Sequence, residues 1–322
     1  MDKLNRIVIV IPNGELVVSS IAGTFKLFQS AIAGHSSKAE LIVAGERKNH
    51  RYFDGLFTVT PHLDWRKIRK ADLIIVPAIK DQISKVLNEN KLLMNWLVKQ
   101  YNKGSHIASL CTGSFLLAEA GLLENKRCTT HWAFTDEFKN RYRNTRFTKN
   151  NIITEDDRVF TSGGAYTFLN LIVYLVERFF SKDTARHLIS NYLIDYNRIN
   201  QDPFVVFSSQ KNHNDDGIRK VQEYLEKHYH LKVSNEALAS EANLGTRTMV
   251  RRFKTLCGNT PNEYLQRVRI EAAKDLLSIS GKTINEIQFS VGYNDPKTFR
   301  NFFLRYTGCS PAEYRRKYKI SR

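Results

Sequence analysis

Short apolar runs and amphipathic stretches alternate along residues 1–195. Four runs of β-branched and other apolar residues have the continuity of strands buried on both faces, namely 6–11, 39–44, 71–77 and 106–110. Three stretches between them carry apolar residues at helical spacing, namely 20–33, 91–103 and 114–120. Because buried strands and helices alternate, the pattern predicts an α/β domain with a parallel sheet.

The same domain is expected to close with a hairpin-like strand pair and two helices. These elements are predicted at 151–155 and 159–162 for the strands and at 165–180 and 183–193 for the helices. The pattern then dissolves into polar residues. We therefore interpret 196–214 as a linker between a first domain, 1–195, and a second domain, 215–322.

The second domain has a helical pattern throughout and contains an internal repeat. Residues 248–264 align without a gap to 298–314, with identities at Thr248/Thr298, Phe253/Phe303, Gly258/Gly308, Pro261/Pro311, Glu263/Glu313 and Tyr264/Tyr314. In both copies a glycine ends one helix, a Thr or Ser caps the next, and Pro and Glu complete a capping box. The same helix–stop–helix module therefore occurs twice.

A short helix and a tight turn precede each copy, which makes both modules helix-turn-helix units. The predicted helices are 235–242 and 246–257 in the first unit, and 283–291 and one beginning at Pro296 in the second. Apolar residues at helical spacing are expected to lock each pair of helices together. They are Leu238, Leu244, Met249 and Phe253 in the first unit, and Ile287, Tyr293, Phe299 and Phe303 in the second.

If those residues face inward, helical geometry leaves an outward face on each second helix. We predict that the bases of DNA are read by Arg247, Val250, Arg251, Lys297, Arg300 and Asn301. Arg and Lys can read guanine, Asn can read adenine, and Val can touch a thymine methyl group. The alternative is a helical bundle with a solvated basic face. Three further residues are weaker candidates, for phosphate contacts or plain surface charge, namely Arg252, Lys254 and Arg305.

One predicted helix, 261–277, connects the two units. At ~1.5 Å per residue it spans about 25 Å, comparable with the ~34 Å between successive major-groove openings on one face of DNA. A single chain is therefore predicted to occupy two adjacent grooves of double-stranded DNA. Because the spacer is rigid, the DNA is expected to bend to meet both helices.

The charge favours the same kind of partner. The chain has 49 Lys and Arg against 32 Asp and Glu, a net charge of +17, which indicates a polyanion, nucleic acid before a membrane surface. No apolar run approaches the ~20 residues that cross a bilayer, so we predict a cytoplasmic protein with no membrane partner. Four cysteines without a CxxC pair indicate reduced thiols, and we predict no metal and no cofactor.

The first domain contains one candidate site for chemistry. Residues 109–113 follow an apolar strand and open a helix, which is the layout of a nucleophile elbow with Cys111 at its centre. A helix N-terminus favours the thiolate form of a cysteine. The enzymatic hypothesis makes Cys111 the nucleophile, His131 the base and the amides around Thr112 the oxyanion donors.

The sequence GYNDPKTFRNFFLRYTGCSPAEY, at 292–314, resembles the signature of the AraC/XylS family of bacterial transcription regulators. The resemblance covers about 105 residues, from near Gly217 to Tyr318. It implies sequence-specific promoter binding, usually activation, by two helix-turn-helix subdomains, with RNA polymerase as a further partner. Val250 departs from the pattern, because a polar base reader is common at its position.

The sequence CTGSFLLAEAGLLENKRCTTHW, at 111–132, and TSGG, at 161–164, resemble the PfpI/ThiJ superfamily, which is related to class I glutamine amidotransferases. The whole chain is similar to GlxA-type regulators, in which such a domain precedes the AraC/XylS module. The resemblance implies a flavodoxin-like parallel sheet for the first domain. Ser20 stands where the superfamily's enzymes usually carry an acid, and Glu15 lies too early to replace it.

Because that acid is missing, we predict that the first domain is a sensor and not an enzyme. Ser20, Cys111, Thr112 and His131 are then expected to line a pocket for a small-molecule effector. Such regulators are expected to form a homodimer through this domain. The alternative is a cysteine-dependent hydrolase or amidase whose basic tail only localises it.

Overall fold

The computed structural model describes residues 4–35, 38–80, 82–149, 151–196, 211 and 213–319. The chain divides into two compact units, Met1–Gln201 and Asp202–Arg322. The predicted linker, 196–214, lies outside the described residues except at positions 196, 211, 213 and 214, so its conformation stays a prediction. No helix in the described ranges combines the length and the apolar character that a membrane crossing requires.

The first unit is built on a six-stranded sheet and two short two-stranded pairs. The strands are β1 (Arg6–Ile11), β2 (Glu40–Gly45), β3 (His50–Tyr52), β4 (Phe57–Val59), β5 (Leu73–Val76), β6 (His106–Ser109), β7 (Arg127–Cys128), β8 (Arg146–Phe147), β9 (Ile153–Asp156) and β10 (Val159–Ser162). The large sheet has the order β2-β1-β5-β6-β10-β9, and only the β9–β10 pair is antiparallel. The predicted parallel α/β sheet is confirmed.

The helices of this unit cover the sheet and account for its apolar strands. They are α1 (Val18–Gly34), α2 (Ile83–Glu89), α3 (Lys91–Asn102), α4 (Ser114–Glu119), α5 (Thr135–Arg141), α6 (Phe168–Phe179) and α7 (Lys182–Asn191). Successive residues of β1, from Ile7 to Val10, are all fully buried. Because their side chains point alternately to opposite faces, both faces of the sheet are covered.

Several elements were not predicted from the sequence. Strand β3 of the β3–β4 hairpin lies in a run rich in charged residues, 46–54. Helix α2 is one of two short helices that the sequence pattern left unassigned. The other is α5, of seven residues. These elements are too short for hydrophobic periodicity to distinguish them from loops.

All regular secondary structure in the described part of the second unit is helical. Its helices are α8 (Asp216–Lys227), α9 (Asn235–Glu241), α10 (Thr246–Cys257), α11 (Pro261–Ile279), α12 (Ile284–Ser290), α13 (Pro296–Thr307) and α14 (Pro311–Tyr318). The predicted capping boxes at Thr260, Thr283 and Ser310 are present. Gly258 and Gly308 follow α10 and α13 with φ of 63° and 69°, the left-handed conformation that ends a helix most readily at glycine.

Two small apolar cores lie in this unit, one for each helix-turn-helix. The predicted locking residues are buried in them, except for Leu244, which is half-buried. Helix α11 connects the two helix-turn-helix units and has 19 residues, so at ~1.5 Å per residue it spans about 28 Å. The observed helix is two residues longer than the predicted one, 261–277.

Candidate ligand cavity and candidate DNA-binding helices

The backbone turns sharply between β6 and α4 at Cys111. This residue has φ of +54°, in the left-handed region that residues other than glycine rarely adopt. Such a conformation at a strand-to-helix turn is typical of a nucleophile elbow. Two residues later, a Cβ on Gly113 would lie 2.6 Å from the carbonyl oxygen of Pro77 and 2.8 Å from that of Val76. Only glycine therefore allows the turn to pack this closely against the end of β5.

Three hydroxyl groups hold the backbone of Cys111 in place. Its N–H donates to Oγ of Ser162 at 3.2 Å, and its carbonyl oxygen accepts from Oγ of Ser114 at 3.0 Å and from Oγ1 of Thr130 at 3.2 Å. The N–H of Gly113 donates to the carbonyl oxygen of Leu110 at 2.9 Å. Two amides of this turn are therefore already committed, which restricts the predicted oxyanion donors to the amide of Thr112.

A cavity of about 300 Å³ lies beside this turn. Its lining residues are Val17, Ser19, Ser20, Ala78, Ile79, Lys80, Leu110, Cys111, Thr112, His131, Phe134, Tyr166 and Phe168. All four residues predicted for the pocket thus line this one cavity, namely Ser20, Cys111, Thr112 and His131. The lining is mostly aliphatic and aromatic, and no acidic residue belongs to it among the described residues. Such a site suits a largely apolar small molecule.

Ser20 occupies the position expected of an acid and has a structural role instead. Its Oγ donates to the carbonyl oxygen of Val17 at 2.7 Å and accepts from the N–H of Ala78 at 3.3 Å. The hydroxyl therefore ties the start of α1 to the segment after β5. Glu15 is exposed and does not line the cavity, so it does not substitute for the missing carboxylate.

His131 faces the cavity as a neutral side chain. Its Nδ1 accepts a hydrogen bond from the N–H of Ala133 at 3.1 Å, which assigns the proton of the neutral ring to Nε2. Burial lowers the pKa of His131 and so favours the neutral ring. A Cβ on Gly164 would lie 2.6 Å from Cδ2 of His131, so this glycine leaves the space that the ring occupies. In this arrangement His131 offers an N–H donor and not a basic nitrogen.

Thr112 also has a partner within the protein. Its Oγ1 donates to the carbonyl oxygen of Ile79 at 2.5 Å. The side chain is buried and fixes the segment after β5 to the elbow. Thr112 therefore shapes the cavity wall more than it supplies a free hydroxyl to a ligand.

In the second unit, the outward faces of α10 and α13 carry the predicted base readers. Five of the six are exposed, namely Arg247, Arg251, Lys297, Arg300 and Asn301. Val250 differs, because it is half-buried and packs against the first apolar core. Its side chain therefore contributes to packing at the position where the sequence already departs from the pattern.

Arg252 has an intramolecular partner that the sequence did not reveal. Its Nε donates to Oδ2 of Asp215 at 2.9 Å and its Nη2 to the same atom at 2.5 Å. Oδ1 of Asp215 also accepts from the N–H of Ile218 at 3.1 Å and so caps α8. Arg252 therefore connects α10 to the start of α8 through an ion pair with Asp215.

Two family models match the chain. The model of the DJ-1/PfpI family matches residues 9–178, and that of a helix-turn-helix domain matches residues 238–317. The chain belongs to the DJ-1/PfpI family. Together the two matches confirm the organisation recognised in the sequence, a PfpI-type domain followed by an AraC/XylS-type helix-turn-helix domain.

Relatives of this DJ-1/PfpI-family protein carry names of transcription regulators. The HTH-type transcriptional regulator CdhR of Pseudomonas aeruginosa is 24% identical over 249 residues, which cover 77% of this chain and 73% of CdhR. For GbdR of the same species the identity is 24% over 227 residues, 69% of this chain and 60% of GbdR. The HTH-type transcriptional activator RhaS of Escherichia fergusonii is 40% identical over 92 residues, 29% of this chain and 33% of RhaS.

Solved structures show the fold of the DJ-1/PfpI-family domain. DJ-1beta of Drosophila melanogaster has a TM-score of 0.51 at 17% identity, covering 61% of this chain and all of DJ-1beta. A ThiJ/PfpI family protein of Pseudomonas syringae has a TM-score of 0.52 at 14% identity, covering 83% of this chain and 90% of that protein. At these identities the likeness concerns the fold alone.

Two residues of the DJ-1/PfpI-family site make contacts that the sequence did not predict. Ser162 binds the N–H of Cys111, and Gly164 makes room for His131. Both belong to TSGG, at 161–164, part of the sequence that resembles the PfpI/ThiJ superfamily. The TSGG sequence marked these positions, but its spacing does not predict which residues they contact.

Proposed function

We propose that this protein regulates transcription by binding promoter DNA through its second unit. The observation that carries the proposal is the pair of helix-turn-helix units, each with basic or amide side chains exposed on its second helix. Base readers sit on this helix when it lies in the major groove. A net charge of +17 supports a polyanionic partner. The length of α11, about 28 Å at ~1.5 Å per residue, is comparable with the ~34 Å between successive major-groove openings on one face of the duplex.

The first unit is proposed to bind a small effector in the cavity beside Cys111. Support comes from the cavity's volume of about 300 Å³ and its largely apolar wall. His131 is placed to donate from Nε2, so the ligand should present a hydrogen-bond acceptor. Occupancy would regulate DNA binding only if the effector has different affinities for two states of the protein.

The remaining partners follow from this proposal. A promoter-binding regulator of this kind is expected in the cytoplasm, as a homodimer assembled through its first unit. We propose that it acts as an activator and contacts RNA polymerase. These statements concern the whole protein and rest on the DNA-binding function.

A second candidate function is a cysteine-dependent hydrolase, favoured by the φ of +54° at Cys111. The cavity has no acidic lining residue in the described ranges, and His131 uses Nδ1 as an acceptor, which does not suit a general base. Replacing Cys111 with Ala distinguishes the two functions. A sensor is expected to show an altered effector response without turnover in either form, whereas an enzyme loses turnover and retains its DNA binding.

The experiment that tests the proposed function is selection of bound fragments from the genome that encodes the protein. Fragments retained by the full chain are sequenced, and the same protein is screened by thermal shift against a small-molecule library. We expect enriched fragments to share two half-sites about one helical turn apart. Retention without any shared sequence would contradict specific binding.

A further inference from the structure

The helix that joins the two helix-turn-helix units, α11, has two buried cations, Arg269 and Lys274. Lys274 forms an ion pair with Glu271 of the same helix. Arg269 of α11 is only 8% exposed. Its Nε donates to the carbonyl oxygen of Tyr229 at 2.7 Å, and its Nη2 donates to that of Leu231 at 2.9 Å. Both carbonyls belong to the segment between α8 and α9 of the first helix-turn-helix unit. Arg269 therefore attaches α11 to that segment.

The same guanidinium contacts the turn of the second helix-turn-helix unit. Its Cζ lies 5.3 Å from the ring centroid of Tyr293, close enough for a cation–π contact. A Cβ on Gly292 would lie 2.9 Å from Nη2 of Arg269 and 2.8 Å from the carbonyl oxygen of His230. The turn of the second helix-turn-helix unit thus packs directly on Arg269 and on the segment between α8 and α9 that Arg269 binds.

Two more contacts connect these parts. The hydroxyl of Tyr293 donates to Oε1 of Gln266, nearly one helical turn before Arg269, at 2.5 Å. Tyr229 packs against both apolar cores of the second domain. The two helix-turn-helix units are therefore in contact around α11 and are not joined by that helix alone.

The chemistry of this contact is specific to arginine. No carboxylate forms an ion pair with Arg269 among the residues that the structure describes, and burial lowers its pKa. Burying a charge without a counter-charge is costly. A planar guanidinium can donate in two fixed directions at once, which a lysine ammonium on a flexible stem does not reproduce. An apolar residue would fill the space but would leave both carbonyls without this donor.

We propose that Arg269 is a positioning residue that fixes the angle and distance between α10 and α13. It thereby determines which spacing between two DNA half-sites the protein accepts. This inference rests on the proposed DNA-binding function for its consequence, but its geometric part can be measured without DNA.

Double electron–electron resonance in the full chain tests the geometric part, because it measures the distance between spin labels on α10 and α13. Spin labels are placed at the equivalent positions Lys254→Cys and Leu304→Cys, both exposed, in a background with Cys309→Ser. We expect a narrow distance distribution with Arg269 and a clearly broader one with Arg269→Met. The control is Arg316→Met, the same exchange at an exposed position of α14, which should leave the distribution narrow. A distribution that stays equally narrow in Arg269→Met overturns the proposal.

The functional part is tested with duplexes that the unchanged protein selects from a random library. We expect Arg269→Met to bind two-site duplexes about tenfold or more weakly and a single half-site within about threefold, because it loses the gain from simultaneous engagement. Its preference among spacings should also flatten. Equal loss on both kinds of duplex overturns the proposal. If the unchanged protein selects no duplex, the DNA-binding function fails, while the distance measurement still decides the role of Arg269.

A milder variant covers the case in which Arg269→Met does not fold. Tyr293→Phe keeps the ring beside Arg269 and removes only the hydrogen bond to Gln266. We expect the same broadening and the same selective loss on two-site duplexes, both smaller in size. Circular dichroism melts establish that each variant is folded at the temperature of measurement, and no change in Tyr293→Phe together with an unfolded Arg269→Met counts against the proposal.

Discussion

The hydroxyl of Ser162 accepts the backbone N–H of Cys111 at 3.2 Å, across a sequence separation of 51 residues. This bond joins the end of β10 to the elbow after β6, and both residues are buried. It holds a cysteine in a left-handed conformation and at the same time removes that cysteine's amide from any oxyanion site. This contact therefore supports the elbow and leaves the amide of Thr112 as the candidate oxyanion donor of the turn.

Replacing Ser162 with Ala should destabilise the first unit. The change leaves the buried N–H of Cys111 without its acceptor, at an expected cost of about 1–3 kcal/mol in the free energy of unfolding. All three tryptophans, Trp65, Trp96 and Trp132, lie in the first unit, so their fluorescence during urea denaturation reports on it. Ser190→Ala, at an exposed position of α7 in the same unit, is the control and should leave the transition in place. An unchanged transition in Ser162→Ala would argue against this support of the elbow.

Replacing Gly164 with Ala should displace His131 and impair effector binding. The added methyl group would lie 2.6 Å from Cδ2 of the imidazole, so the ring or the backbone must shift, at a cost of about 1–3 kcal/mol. Gly34→Ala is a matched control, since no described heavy atom lies within 4 Å of a Cβ added there. We expect Gly164→Ala to weaken the thermal shift caused by an effector, and Gly34→Ala to preserve it. Equal responses of the two variants would show that the position of His131 does not matter for binding.

The stability of the first unit should fall as the pH is lowered below about 6.5. Burial lowers the pKa of His131, and burial together with Arg47 lowers that of His50, both from 6.5. A group with a lowered pKa takes up its proton more readily in the unfolded chain, so acid favours unfolding. Each histidine contributes at most about 1.4 kcal/mol per pH unit between its folded and unfolded pKa values.

Tryptophan-detected urea unfolding at pH 7, 6 and 5 measures this dependence. His131→Gln should be less sensitive to acid than the unchanged protein, because one of the two groups no longer titrates. His50→Gln should show a similar reduction. If His131→Gln retains the full pH dependence, burial of its neutral ring is not a source of that dependence.

Much of the fold could be predicted because its signals are local. Strands β1, β2, β5 and β6 follow from continuous apolar runs, and the helix-turn-helix units follow from caps, glycine stops and apolar spacing within about twenty residues. The contacts of Ser162 and Gly164 join residues far apart in sequence, so no periodicity reveals them. The tautomer of His131 likewise depends on a hydrogen bond that only the folded loop creates.

The candidate DNA face shows the same division. Exposure of Arg247 and Arg251 follows from helical geometry once Met249 and Phe253 face the core. The half-buried position of Val250 depends on how closely α10 approaches its neighbours, which spacing alone does not give. The engagement of Arg252 depends on Asp215, 37 residues away.

Replacing Arg251 with Ala and Lys254 with Ala should have different effects on DNA binding. Arg251 is assigned as a base reader, so its loss should relax base preference at one half-site, at a cost of about 1–3 kcal/mol. Lys254 is a candidate phosphate contact, and as such its loss should weaken all duplexes evenly and reduce the salt slope by about one. Both residues are exposed, so neither change should alter the fold. If the two variants behave alike across a set of point-substituted duplexes, the assignment of Arg251 is wrong.

The most direct test of the account is a gel retardation titration of the full chain against DNA from upstream of its own gene, with unrelated DNA of equal length as the reference. Specific protein–DNA complexes are typically about a thousandfold or more tighter than nonspecific ones. We predict that some upstream fragment is retarded at least that much more strongly, and that the difference disappears in a chain with both Arg251→Ala and Arg300→Ala. Equal retardation of all fragments, or no retardation in low-salt buffer, would contradict the proposed sequence-specific DNA binding.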